Sequence, residues 1–158
     1  MDTPENINNS LLQNDPVLNI VWEGSQFVRH SLALVNREHC ANLIDSGLVD
    51  VTIVPYEKDS FLPDGNSKYE KLQAMDVRYK IQPDEAIANL PYVWIRHQWP
   101  PQAEPPKGAA WIIMQPWEYS SLRADFVDIF NNADEIWTPS IYSKNVLSIQ
   151  EFPTKKFR

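Results

Sequence analysis

Short, nearly all-apolar segments alternate with helix-patterned ones along this chain, and that alternation restricts its possible folds more than any other feature. Val17 to Trp22, Val49 to Val54, Leu90 to Ile95, Ala109 to Met114 and Glu135 to Trp137 have strand length. They lack the regular in-out alternation of a strand with one wet face. Val77 to Ile81 reads as a further short strand. Between these runs, Phe27 to Ser46 has helical periodicity, with Gly47 placed as its C-terminal stop. Lys68 to Met75 and Leu122 to Asn131 read as helices. Pro83-Asp84-Glu85 opens another, and Ser140 caps a last one reaching about Ile149. Strands buried on both sides and separated by helices form a parallel sheet covered on both faces. The sequence therefore predicts a doubly wound, mostly parallel, Rossmann-like α/β domain over residues 17–150. The aperiodic, Asn-rich residues 1–16 read as a disordered leader, and residues 151–158 as a basic tail.

The 158 residues suit one domain, and a 43% hydrophobic content supplies a core. Fourteen basic against 21 acidic residues, with no Lys/Arg cluster beyond the C-terminal tail, argue against a nucleic-acid partner. Cys40 is the lone cysteine, which excludes an intrachain disulfide or a cysteine-based metal site. No signal-peptide pattern and no run of apolar residues long enough to span a bilayer is present, so the expected location is the cytoplasm. Neither G-x-G-x-x-G nor a Walker motif occurs, which removes the main support for a dinucleotide or P-loop enzyme.

In a doubly wound sheet, ligands bind beyond the carboxyl ends of the strands. Those ends carry Trp22-Glu23-Gly24-Ser25, Arg96-His97-Gln98-Trp99, Gln115-Pro116-Trp117-Glu118 and Thr138-Pro139-Ser140. Parallel strands would deliver Glu23, His97, Gln115 and Glu118 to one edge. Carboxylates, amides and tryptophan faces suit a sugar, which presents hydroxyls and C–H faces; padding of a small core is the plainer use of the tryptophans. Gly24 lets backbone N–H groups approach a ligand. On the first helix, Asn36 falls inside the apolar arc and Arg37 near its edge. Asn36 either ties the helix to a loop or, with Arg37, orients the loop after the first strand. His97 is open to a structural or a functional role. His30, His97 and Glu118 lack metal-ligand spacing, and no metal or cofactor is expected. The proline-rich stretch from Trp99 to Gly108 reads as a stiff crossover or cleft wall.

Four blocks carry a family likeness: Trp22-Glu23-Gly24 with Ser31 to Glu38, Arg96 to Pro101, Gln115 to Leu122, and Asp134 to Ser140. In this order they resemble the N-terminal domain of bacterial group 1 (family 4-like) glycosyltransferases, over about Val17 to Leu147. The resemblance implies one half of a GT-B fold, a cleft that takes the acceptor, and a nucleotide-sugar donor held by a C-terminal domain. It implies Glu118 and Gln115 as the catalytic candidates, although a neutral Gln cannot act as a general base. It implies Glu23, Gly24, Ser25, Asn36, Arg96, His97, Gln98 and Trp117 as substrate-binding residues. The donor-side Glu-x7-Glu pair of that family does not occur in the sequence. The donor half is therefore expected from another segment or chain, with the isolated chain inactive, and a half-cleft with apolar surface invites homo-oligomerisation. The other reading is a non-catalytic carbohydrate- or protein-binding module.

Overall fold

The computed structural model describes residues 16–148 and 156–157. Ten of these elements follow the expected alternation: β1 (Asn19–Gly24), α1 (Ser31–Ser46), β2 (Asp50–Pro55), α2 (Ser67–Ala74), α3 (Glu85–Ala88), β3 (Tyr92–His97), β4 (Ala110–Met114), α4 (Ala124–Asn132), β5 (Glu135–Trp137) and α5 (Ile141–Ser148). An eleventh, β6 (Lys156–Phe157), lies in the segment read as a basic tail and pairs in parallel with β5. The leader assigned to residues 1–16 lies outside the described residues, apart from residue 16.

All strands are parallel, in the order β2-β1-β3-β4-β5-β6. The topological switch point falls between β1 and β3, where the chain leaves the centre of the sheet in both directions. Apolar side chains fill both faces, which makes the sheet doubly wound. Ile20, Trp22, Val51, Ile53 and Ile95 pack against Cys40 and Ala41 of α1 and Leu72 of α2. Trp111, Ile113 and Ile136 pack on the other side against Phe126, Ile129 and Phe130 of α4 and Val146 and Leu147 of α5. Burial pushes the Cys40 thiol up to about 12, so it is an inert core group.

Local chemistry sets the helix ends. Asn66 accepts from the N–H groups of Lys68 and Tyr69, Asp84 from that of Ile87, and Ser140 from that of Ser143. Gly47 closes α1 in the left-handed region, at φ 65°, with its N–H on the Ile44 carbonyl. The strand expected at Val77 to Ile81 is not formed. Asp76 makes one parallel bridge to Ile53, on the outer side of β2. Its buried carboxylate then accepts from the backbone N–H and the guanidinium of Arg78, and its carbonyl from the N–H groups of Tyr79 and Lys80. This turn withdraws the chain from the sheet.

Gly47 has open space around its α-carbon, so replacing it tests backbone conformation alone. Gly47→Ala should cost about 1 kcal/mol and Gly47→Asn about half of that, read as shifts in the urea unfolding midpoint.

Candidate functional site

A carboxamide lies at the centre of the switch point. Asn36 is 0% exposed and projects from α1 onto the ends of β1 and β3. Its Oδ1 accepts from Trp22 Nε1 at 3.0 Å and from His97 Nδ1 at 2.5 Å. Its Nδ2 donates to the carbonyls of Ser25 at 2.9 Å and His97 at 3.2 Å. Every donor and acceptor of the amide is used. The two carbonyls fix which end is nitrogen, so Oδ1 faces His97, and His97 must carry its proton on Nδ1. Burial, then the neighbouring charge of His39, lowers the His97 pKa to about 4, so the ring is neutral at pH 7. Asn36 thus ties helix to loop and to β3. Beside it, Arg37 Nη1 donates to the carbonyls of Gln26 and Val28 and holds the β1–α1 loop.

Gly24 serves this packing. A Cβ there would lie 2.4 Å from the His97 carbonyl oxygen and 2.6 Å from Asn36 Nδ2. The space that a missing side chain leaves is occupied by Asn36.

Glu23 and Arg96 face the opposite side of the sheet from His97, as the two-residue period of a strand requires. Glu23 Oε2 accepts from Arg96 Nε at 2.8 Å and from Trp94 Nε1 at 2.7 Å. The same guanidinium lies 5.0 Å from the Trp111 ring and donates to the carbonyls of Gln102 and Glu104. This buried pair pins the helix-free, proline-rich connection from β3 to β4 against the sheet. The chain therefore places Glu23, Arg96, His97 and Asn36 near one edge but divides them between two faces and occupies each with internal partners.

Three other candidates behave differently. β1 and β3 end in the paired residues Gly24 and His97, and Arg96 pairs with Ile113 of β4. Continuing both registers places Ser25, Gln98 and Gln115 in a row across the three strand ends. Each is 1% exposed. Ser25 Oγ, both amide atoms of Gln98 and Oε1 of Gln115 have no hydrogen-bond partner among the described residues. Buried polar atoms are nearly always paired, and four of the eight unpaired ones among the described residues fall in this row. Gln115 Nε2 donates to the Pro116 carbonyl at 3.1 Å.

Gln115 also opens onto a pocket of about 200 Å³ with Trp117, Glu118, Trp99, Tyr119 and Leu32. Trp117 is buried and stacks obliquely with Trp99, their centroids 6.0 Å apart, while Trp99 is 46% and Tyr119 67% exposed. Glu118 is exposed. Tyr119 and Leu32 are not among the site candidates read from the sequence, although each sits inside one of the four blocks, Gln115 to Leu122 and Ser31 to Glu38. Among the described residues no group of three His, Cys, Asp or Glu side chains is placed to hold a metal ion. No helix among them is long and apolar enough to cross a membrane. Comparison with known proteins finds no matching family model, curated protein or solved structure.

Two outcomes test this geometry. Gly24→Ala should destabilise the protein by at least about 2 kcal/mol in chemical denaturation, since both obstructing atoms belong to the Asn36 lock. His97 should make stability fall with acid. The unfolded imidazole takes up a proton below its ordinary pKa of 6.5, while the folded one resists until about 4. Its contribution, about 3 kcal/mol, is present above pH 6.5 and lost as pH falls toward 4. In His97→Gln, whose amide can still donate to Asn36, stability should therefore decline less between pH 7 and pH 4.5 than in the parent. Equal declines would assign the acid sensitivity to other groups.

Proposed function

We propose that the carboxyl edge of β1, β3 and β4 binds a sugar or glycan, as the acceptor side of a glycosyltransferase of the GT-B type. The observation that carries this reading is a pocket walled by Gln115, Trp99, Trp117 and Tyr119, with the unpaired polar atoms of Ser25 and Gln98 continuing the row of strand ends from Gln115. A polyol satisfies such atoms with hydroxyls, each able to donate and accept, while its C–H faces lie on indole and phenol rings. Glu118 is positioned to accept from an acceptor hydroxyl, and Gln115 to donate to a sugar oxygen. The likeness of the four sequence blocks to group 1 glycosyltransferases supports the same reading. It assigns the nucleotide-sugar donor to a second Rossmann-like domain, in the same protein or another chain.

A second reading, a carbohydrate-binding module without catalysis, is favoured by one feature. The pocket offers no buried general base: Gln115 is neutral, and Glu118 stands in solvent. Both readings require sugar binding at the same place. They separate when a donor domain is supplied, because only the first then yields transfer.

Gln98 gives the sharpest test. Its amide has no internal partner, so Gln98→Met should raise stability, by about 1 kcal/mol, while weakening sugar binding tenfold or more in calorimetric titration. Loss of stability instead would show that the amide has a structural role. Glu118→Ala should leave folding unchanged and weaken acceptor binding; unchanged affinity would remove Glu118 from the site.

A further inference from the structure

The described part of the chain contains five arginines. Arg78, Arg96 and Arg123 each pair with a carboxylate. Arg29 and Arg37 make no ion pair among the described residues, in a protein of net charge −7. Both approach one ring: Arg29 Cζ lies 5.9 Å and Arg37 Cζ 5.6 Å from the centroid of Phe61, with Arg37 also 5.3 Å from that of Tyr69. Like charges gather in this way only where something offsets their repulsion. The aromatic faces supply part of that. Arg37 is only 6% exposed, and its Nε has no hydrogen-bond partner among the described residues.

The two guanidiniums, with His30, Leu34, Phe61, Leu62 and Tyr69, line an open depression of about 510 Å³. It is separate from the pocket at the β4 edge. Leu32 faces that one and Leu34 this one, about 200° apart around α1 at 100° per residue. The depression also lies at the N-terminus of the 16-residue helix α1, whose first turn carries no acidic residue. The helix dipole there adds positive potential. Carboxylates stand nearby: Glu57 Oε1 lies 3.2 Å from His30 Nε2, and Glu38, next to Arg37 in the chain, pairs with Lys68.

We infer that this depression is a binding site for a phosphate monoester. Forked guanidinium donors match phosphate oxygens. The Phe61 and Tyr69 rings and the two leucines provide a wall for the group that carries the phosphate. Arg37 is already held in place by the carbonyls of Gln26 and Val28. Arg29 is the exposed arm that closes on the ligand. Glu57 opposes the bound anion and limits its affinity. The site does not depend on sugar binding at the strand ends, so either can fail alone.

The test is a titration of the full chain with inorganic phosphate, a hexose 6-phosphate and the free hexose, followed by amide and aromatic NMR shifts. Phosphate and hexose phosphate should perturb the Arg29–Leu34 backbone and the Phe61 and Tyr69 rings. The free hexose should leave those signals unmoved. Arg29→Gln, at an exposed position, should weaken phosphate binding about tenfold, whereas Glu57→Gln should strengthen it several-fold. A larger effect of Arg29→Gln than of the distant Arg123→Gln distinguishes a built site from general attraction, which one unit of charge anywhere on the surface would alter equally. No perturbation at millimolar phosphate, or shifts confined to other regions, or identical effects of Arg29→Gln and a distant Arg123→Gln, would overturn the inference.

Discussion

The structure depends first on one amide, Asn36. Three chain segments meet at the centre of the sheet: the end of β1, the end of β3 and the first half of α1. Backbone pairing alone cannot fix how a helix sits over two strand ends. The carboxamide does so by using all its hydrogen-bonding capacity on Trp22, His97 and the Ser25 carbonyl. Removing one member leaves the others buried and unpaired, so the group acts as a unit. Its demands reach outward. Residue 24 has to be glycine to make room, and His97 has to stay neutral with its proton on Nδ1. The β1–α1 loop is then held in one course, which Arg37 reinforces.

Around that lock the carboxyl edge is divided by chemistry. Glu23, Arg96, Asn36 and His97 are consumed by the fold. Ser25 Oγ, the Gln98 amide and Gln115 Oε1 are buried without such partners. Both sets are polar and buried at the carboxyl edge, yet only the second keeps side-chain atoms without hydrogen-bond partners among the described residues. Burial alone therefore does not show which polar groups the fold has paired.

Much of the fold was legible in the sequence because hydrophobic periodicity reports burial directly. Five of the six expected strands, the αL stop at Gly47 and the Ser140 cap appear where local chemistry puts them. The edges of β1 and β3 were harder. Both strands run two residues further than their apolar runs, through Glu23-Gly24 and Arg96-His97. Those polar residues are accommodated by partners on distant segments, which no local pattern displays. Val77 to Ile81 failed for a related reason: its apolar residues read as a strand, while the buried Asp76 carboxylate turns the backbone away. At the site, Gln115, Trp117 and Glu118 were legible as a cluster within four residues. The Glu23–Arg96 pair was not separable from ligand-binding groups, since a charge at a strand end looks the same whether its counter-ion is internal or not. The grouping of Arg29 and Arg37 about Phe61 arises only from the return of a loop.

The β3–β4 connection has a physical consequence of its own. A parallel crossover usually carries a helix whose internal hydrogen bonds make it self-supporting. Here the link carries no helix and borrows its order from Arg96, whose guanidinium reaches the Gln102 and Glu104 carbonyls while also compensating Glu23. Lifting this segment would strip solvation from an interior cation as well as free a strip of chain. The strap is thereby coupled to the sheet's charge balance. It should behave as part of the central β-layer in amide exchange, opening with the global transition and not as an independent surface loop.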